Sequence, residues 1–173
     1  MAGERRVGET VHVHDRMQSG YSYAIAAPAG RDFAHRFSPS YAPKQMLALG
    51  VFEGKYCNDC RGELPADWYD GARIGDAPDP ALNCFGVKSR QPLSVWRENG
   101  WIYGPDPRGW FQWYCRYYRG RRLPQEDRRQ IARWQAMRRH ARQIERNCDP
   151  CDHACRPRQR QALLHWAYDS RKI

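Results

Sequence analysis

Asp106-Pro107-Arg108-Gly109-Trp110-Phe111-Gln112-Trp113-Tyr114-Cys115-Arg116-Tyr117-Tyr118-Arg119-Gly120 is the stretch from which the fold is read. Asp106 suits a helix N-cap, Pro107 the first helical residue and Gly120 the left-handed residue past the C-terminus. Between them Trp110, Trp113 and Tyr117 recur at i, i+3 and i+7, with Tyr114 beside them, so the large rings share one face. A stripe of that kind predicts a helix turned toward the core, with Trp113 as a structural residue. Arg116 and Arg119 leave from another part of the same surface, and Arg121 and Arg122 follow at once.

The segment downstream continues in the same manner. Pro124 opens a predicted long helix over residues 125–147, with Glu126 and Asp127 at its positive end. Ile131, Trp134, Ala141 and Ile144 mark its apolar stripe, while Arg128, Arg129, Arg133, Arg138, Arg139, Arg142 and Arg146 fill most of the rest. A last helix over 157–170 buries Leu163, Leu164, Trp166 and Ala167. Upstream, the pattern weakens. Val11-His12-Val13-His14 and Tyr21-Ser22-Tyr23-Ala24-Ile25 alternate as strands do, short helices are predicted over 44–49, 65–74 and 92–99, and residues 51–56 read as extended. The fold class is therefore mainly α: a compact helical domain with a few short strands or extended segments in its N-terminal part. Residues 1–19 are expected to be a loosely ordered segment and 20–173 a single domain, a length that buries a core without disulfides or metal.

Charge is divided unevenly. Residues 1–107 carry 12 basic and 13 acidic side chains, whereas residues 108–173 carry 17 and 6. Of the 29 basic residues, 25 are Arg, whose planar fork grips phosphate and stacks on rings. This excess, interleaved with aromatic residues, fits a polyanion, and nucleic acid (DNA or RNA) is the leading expected partner. The residues expected to carry it are Arg108, Arg116, Arg119, Arg121, Arg122, Arg128, Arg129, Arg133 and Arg139. The arginines of the predicted long helix read equally as a solvated face, or as ion-pair partners of the acidic N-terminal half. The alternative function is an enzyme acting on a nucleobase or an anionic small molecule, in a pocket lined by residues 53–70 and 101–122. A third class is a protein-interaction module whose Arg face meets an acidic partner.

Other constellations are weaker. Cys57-x-x-Cys60 and Cys148-x-x-Cys151 resemble two halves of a thiolate zinc site, with His153 and Cys155 to spare. Against this, the flanks lack glycine knuckles, and Asp59 and Asp149 would add negative charge to a site already rich in it. No metal and no cofactor is expected, and the cysteines are expected to be thiols. His12 and His14 share a strand face and read as a surface pair. Glu53, Asp59, Glu63, Asp67 and Asp70 cluster in sequence and, with Arg108, could supply an acid/base pair. The absence of a P-loop, a dinucleotide glycine pattern and a G-x-S-x-G elbow counts against nucleotide-dependent and α/β-hydrolase chemistry. No apolar run is long enough to span a membrane and residues 1–19 lack a signal-peptide core, so a cytoplasmic location is expected.

The blocks Leu49-Gly50-Val51-Phe52-Glu53-Gly54-Lys55-Tyr56, Gly100-Trp101-Ile102, Asp106 to Tyr118, and Arg158-Gln159-Arg160-Gln161-Ala162-Leu163-Leu164 through Ala167-Tyr168-Asp169 resemble a family of small proteins of bacteria, fungi and plants with no assigned activity. The likeness covers about residues 20–173. It implies a shared fold and transfers no catalytic residue. It also implies that cysteine is often missing at positions 57 and 151, which would remove one ligand from each pair.

Overall fold

The computed structural model describes residues 5–102 and 104–173. Strand β1 (Thr10–His14) pairs antiparallel with β2 (Ser19–Ala24), with Val11 opposite Tyr23 and Val13 opposite Tyr21. The alternation seen in the sequence is realised: Val11, Val13, Tyr23 and Ile25 form a small buried cluster, and His12 and His14 face outward. Each of these imidazoles meets a serine across the hairpin, His12 with Ser22 and His14 with Ser19, both at 2.8 Å. Order thus begins inside the segment expected to be loose, because strand pairing ties residues 10–14 down. Residues 1–4 of that segment lie outside the described residues.

Helices follow: α1 (Pro43–Leu49), α2 (Leu93–Glu98), α3 (Trp110–Tyr118), α4 (Pro124–Ala136), α5 (Arg138–Asn147) and α6 (Pro157–His165). The C-terminal half is largely helical. The stretch between α1 and α2 is held in turns, including 3-10 turns Phe52–Gly54 and Ala66–Tyr69, where an extended segment and a longer helix were predicted. Among the described residues no helix is long and apolar enough to cross a membrane.

α3 is the centre of the molecule. Every residue from Trp110 to Tyr117 is buried, and Phe37 inserts edge-on among Trp113, Tyr114, Tyr117 and Trp134 at centroid distances of 5.0–5.5 Å. Such edge-to-face packing suits the ring quadrupoles. Trp113 is fully buried and its indole N–H donates to Asp127 at 2.8 Å. The other oxygen of Asp127 accepts from the Leu123 amide, which fixes the start of α4 against α3. The glycine that ends α3 is a steric requirement. Gly120 has φ +102, and a Cβ there would stand 1.8 Å from the Ala27 carbonyl oxygen. Its own carbonyl accepts from the Ala26 and Ala27 amides and docks the sheet onto α3.

Three helix boundaries differ from expectation, one of them because α6 ends at His165 and not near 170. α3 begins at Trp110 because Asp106 is not its cap: the Asp106 carboxylate bridges Arg116 and Arg121 instead. The predicted long helix is divided at Met137 into α4 and α5. α5 buries only Ile144, and its end is tied to the start of α6 by a Cys148–Cys155 disulfide.

Candidate functional site

The arginines named from the sequence fall into two groups. Arg108, Arg116, Arg119 and Arg121 are at most 3% exposed. Burying an unpaired charge is costly, and three of the four, Arg108, Arg116 and Arg121, are answered by carboxylates of the chain. Arg116 makes a two-pronged bond to Glu63 at 2.7 and 2.9 Å and a third to Asp106 at 3.0 Å. Arg121 takes both oxygens of Asp106 at 2.9 and 2.6 Å. Arg108 takes Asp59 and Asp15 at 2.9 and 3.0 Å. Burial opposes the Arg108 and Arg116 cations, but the paired carboxylates more than offset it and hold both pKa values above the usual range. Asp15 shows the reverse: burial raises its pKa, and Arg108 with two backbone amides brings it below the usual carboxylate value. These four arginines are internal and present no nucleic-acid surface. Arg122 is half-buried and donates to the carbonyls of Tyr117, Arg31 and Asp32, so it too serves the fold. Arg129 pairs with Glu126 at 2.7 Å.

The carboxylate cluster disperses in the same way. Glu53 meets Arg90, Asp59 meets Arg108, Glu63 meets Arg116 and Asp67 meets Lys44, so each of these four is held by a different cation. The cysteine pairs also separate. Cys57 and Cys60 are buried beside Cys115, with burial raising the Cys57 thiol, while Cys148 is bonded to Cys155 and Cys151 is exposed. The disulfide departs from the expectation of thiols throughout. Among the described residues no three His, Cys, Asp or Glu side chains are placed to hold a metal ion.

What the fold does assemble is an aromatic cavity of about 470 Å³ between α2, α3, α4, α5 and α6. Its walls include Trp96, Trp101, Trp110 and Trp166, with Arg90, Arg133 and Arg139 among the lining residues. Trp101 is 44% exposed, unusual for so large a ring. Arg133 has no carboxylate partner among the described residues; it donates to Gln130 at 3.1 Å and lies over the Trp166 ring. Burial and the neighbouring Arg129 lower its pKa, which means its charge is opposed where it stands.

His165, at the end of α6, forms part of the wall. It stacks on Phe52 at 4.4 Å, and its Nδ1 accepts from the Phe52 amide at 3.3 Å. The proton therefore sits on Nε2, which has no partner among the described residues. Burial, with Arg90 nearby, holds this imidazole down to about 3, so it is neutral at pH 7. Such a group donates a hydrogen bond; it does not take a proton. Beneath it the backbone is strained. Phe52 and Glu53 are consecutive left-handed residues at φ 52° and 57°, and Ala167 follows α6 at φ 60°. Each left-handed non-glycine residue costs on the order of 1–2 kcal/mol, and such residues gather at functional sites. The Glu53 turn is held by its amide bond to Asn83 at 2.8 Å and by the Arg90 contact at 3.2 Å.

Of the pocket expected from the sequence, only the 101–111 part lines this cavity. Residues 55–59 border a separate, smaller one beside Arg108. Arg90, Trp96, His165 and Trp166 were missed as site residues; the sole sequence signal was that Trp96 and Trp166 belong to predicted helices with modest apolar faces. Comparison of the chain with protein-family models, curated proteins and solved structures found no match. The family resemblance therefore rests on the sequence blocks alone.

Proposed function

We propose that the protein binds single-stranded nucleic acid, seating a base in the tryptophan-walled cavity while its phosphates follow the exposed arginines of α5. One observation carries this reading: Arg139 lines the cavity and also belongs to α5. Arg139, Arg142 and Arg146 share a face of α5 at i, i+3 and i+7, all exposed, with no carboxylate partner among the described residues. They span about 10 Å of helix. Stacking of a base on an aromatic ring is sequence-tolerant and contributes about 1–3 kcal/mol. Of the nine arginines first expected to act, Arg133, Arg139 and the exposed Arg128 remain available; α5 supplies the others.

The test is fluorescence titration of a short oligo-dT and oligo-U across salt concentrations. Binding should weaken with a log–log slope of about −0.7 per phosphate contact. Arg139→Gln/Arg142→Gln/Arg146→Gln should reduce the slope by about 2, and Trp101→Ala should remove the quenching. Absence of binding at about 50 mM salt, or a slope unmoved by the triple substitution, would refute the reading.

A second reading is favoured by the strain at Phe52 and Glu53 and by the neutral Nε2–H of His165. In it the cavity is a reaction chamber for a nucleobase or anionic small molecule, with His165 polarising an acceptor atom as a neutral donor. Recovery of the nucleotides unchanged after prolonged incubation with the protein removes this version and leaves binding.

A further inference from the structure

Arg119 stands apart from the other buried arginines of the α3 region. It is 3% exposed, yet no carboxylate faces it among the described residues. The Glu63 carboxylate is engaged by Arg116, and Arg119 donates only to the Glu63 main-chain carbonyl, at 2.5 Å. Its Nη2 has no partner among the described residues. A guanidinium cannot shed its proton to escape burial, so a positive charge without an answering one is left inside the protein.

Arg119 lines a cavity of about 380 Å³, which shares no lining residue with the tryptophan-walled one, between α1, the Ala66–Tyr69 turn and the end of α3. Arg5 and Lys44 line the same cavity, and Arg5, whose Nη1 lies 3.9 Å from Glu9, also has a buried nitrogen, Nε, without a partner among the described residues. Trp68 and Tyr118 form an aromatic wall, their rings edge to face at 5.9 Å. Asp67 is the one carboxylate among the lining residues, and it is held by Lys44 at 2.7 Å.

We infer that this cavity is an anion site that takes a small oxyanion of the phosphate class, with Arg119 as its fixed charge and Lys44 and Arg5 closing over it. The oxyanion supplies the charge that the chain withholds from Arg119. Phosphate also matches the guanidinium fork, which binds two of its oxygens at once. This site is independent of the nucleic-acid reading and uses none of the α5 arginines.

The experiment is thermal melting of the full chain in sodium phosphate against sodium chloride at equal ionic strength. A ligand that binds only the folded state raises the melting temperature. At phosphate concentrations about ten times its Kd the expected rise is about 3 °C. Arg119→Met should abolish it, and Arg139→Gln/Arg142→Gln/Arg146→Gln should leave it intact. If Arg119→Met does not fold, Arg5→Gln/Lys44→Gln decides, by weakening phosphate at least about threefold in calorimetry. Phenyl phosphate distinguishes the two sources of this chemistry: equal affinity assigns a free oxyanion and tighter binding a phosphate monoester carried on a ring, and either supports the site. The proposal is overturned if phosphate gives no rise beyond chloride, if Arg119→Met keeps the rise, or if the α5 substitutions remove it.

Discussion

α3 and α5 carry arginine for opposite purposes. On α3 and the turns beside it, Arg108, Arg116 and Arg121 are buried against Asp15, Asp59, Glu63 and Asp106. On α5, Arg139, Arg142 and Arg146 are exposed, and only Ile144 of the helix is buried. In sequence the two sets look alike: arginines at helical spacing in the basic C-terminal half. What separates them is where the acidic N-terminal half lies in space. Among the described residues its carboxylates reach α3 and none pairs with the α5 arginines, so one set cross-links the fold and the other is left for a partner. Net charge therefore overstates the binding surface, since much of the C-terminal excess is neutralised internally.

Three measurements bear on that contrast. The largest effect is expected at Arg116. Arg116→Met leaves Glu63 without its cation and takes one bond from Asp106, which keeps Arg121, and breaking a buried pair by removing one partner costs about 3–5 kcal/mol. Urea denaturation should show most of the protein's stability gone. A loss below about 1 kcal/mol would mean that the buried network is not what holds α3 to the N-terminal half.

The second tests the wall of the tryptophan cavity through pH. The His165 pKa is lowered in the fold to about 3, from about 6.5 in the unfolded chain. The unfolded state then binds the extra proton, so this contribution to stability is complete above pH 6.5 and is lost as pH falls from there toward 3. The slope should approach about 1.4 kcal/mol per pH unit between those limits. His165→Gln should flatten it. A slope that survives the substitution places the titrating group elsewhere.

The smallest effect on stability belongs to α5. Arg139→Gln, Arg142→Gln and Arg146→Gln, made singly, should each shift the melting temperature by no more than about 2 °C, as surface substitutions usually do. The comparison of α3 with α5 fails if any of them destabilises the protein as Arg116→Met does.

Much of the local structure was legible from the residues. The aromatic stripe of α3, the two alternating strands and the proline-opened helices depend on neighbours within a few positions. So does the closure at Gly120, although its clash with Ala27 belongs to the tertiary fold. The boundaries failed where a distant partner intervened: Asp106 reads as a cap until Arg116 and Arg121 claim its carboxylate.

Taken alone, the sequence determined that helices would dominate the C-terminal half, that Trp113 would be buried and that positive charge would gather there. Periodicity, propensity and charge are properties of short stretches, so they survive without knowledge of the fold. Only the tertiary structure decided which arginines are free, which cysteines are neighbours and where the cavities lie. Arg116 and Glu63 are 53 positions apart, and the Phe52 amide and His165 are 113 apart. A guanidinium has the same composition whether it meets a carboxylate or water, and only packing over such separations determines which it meets.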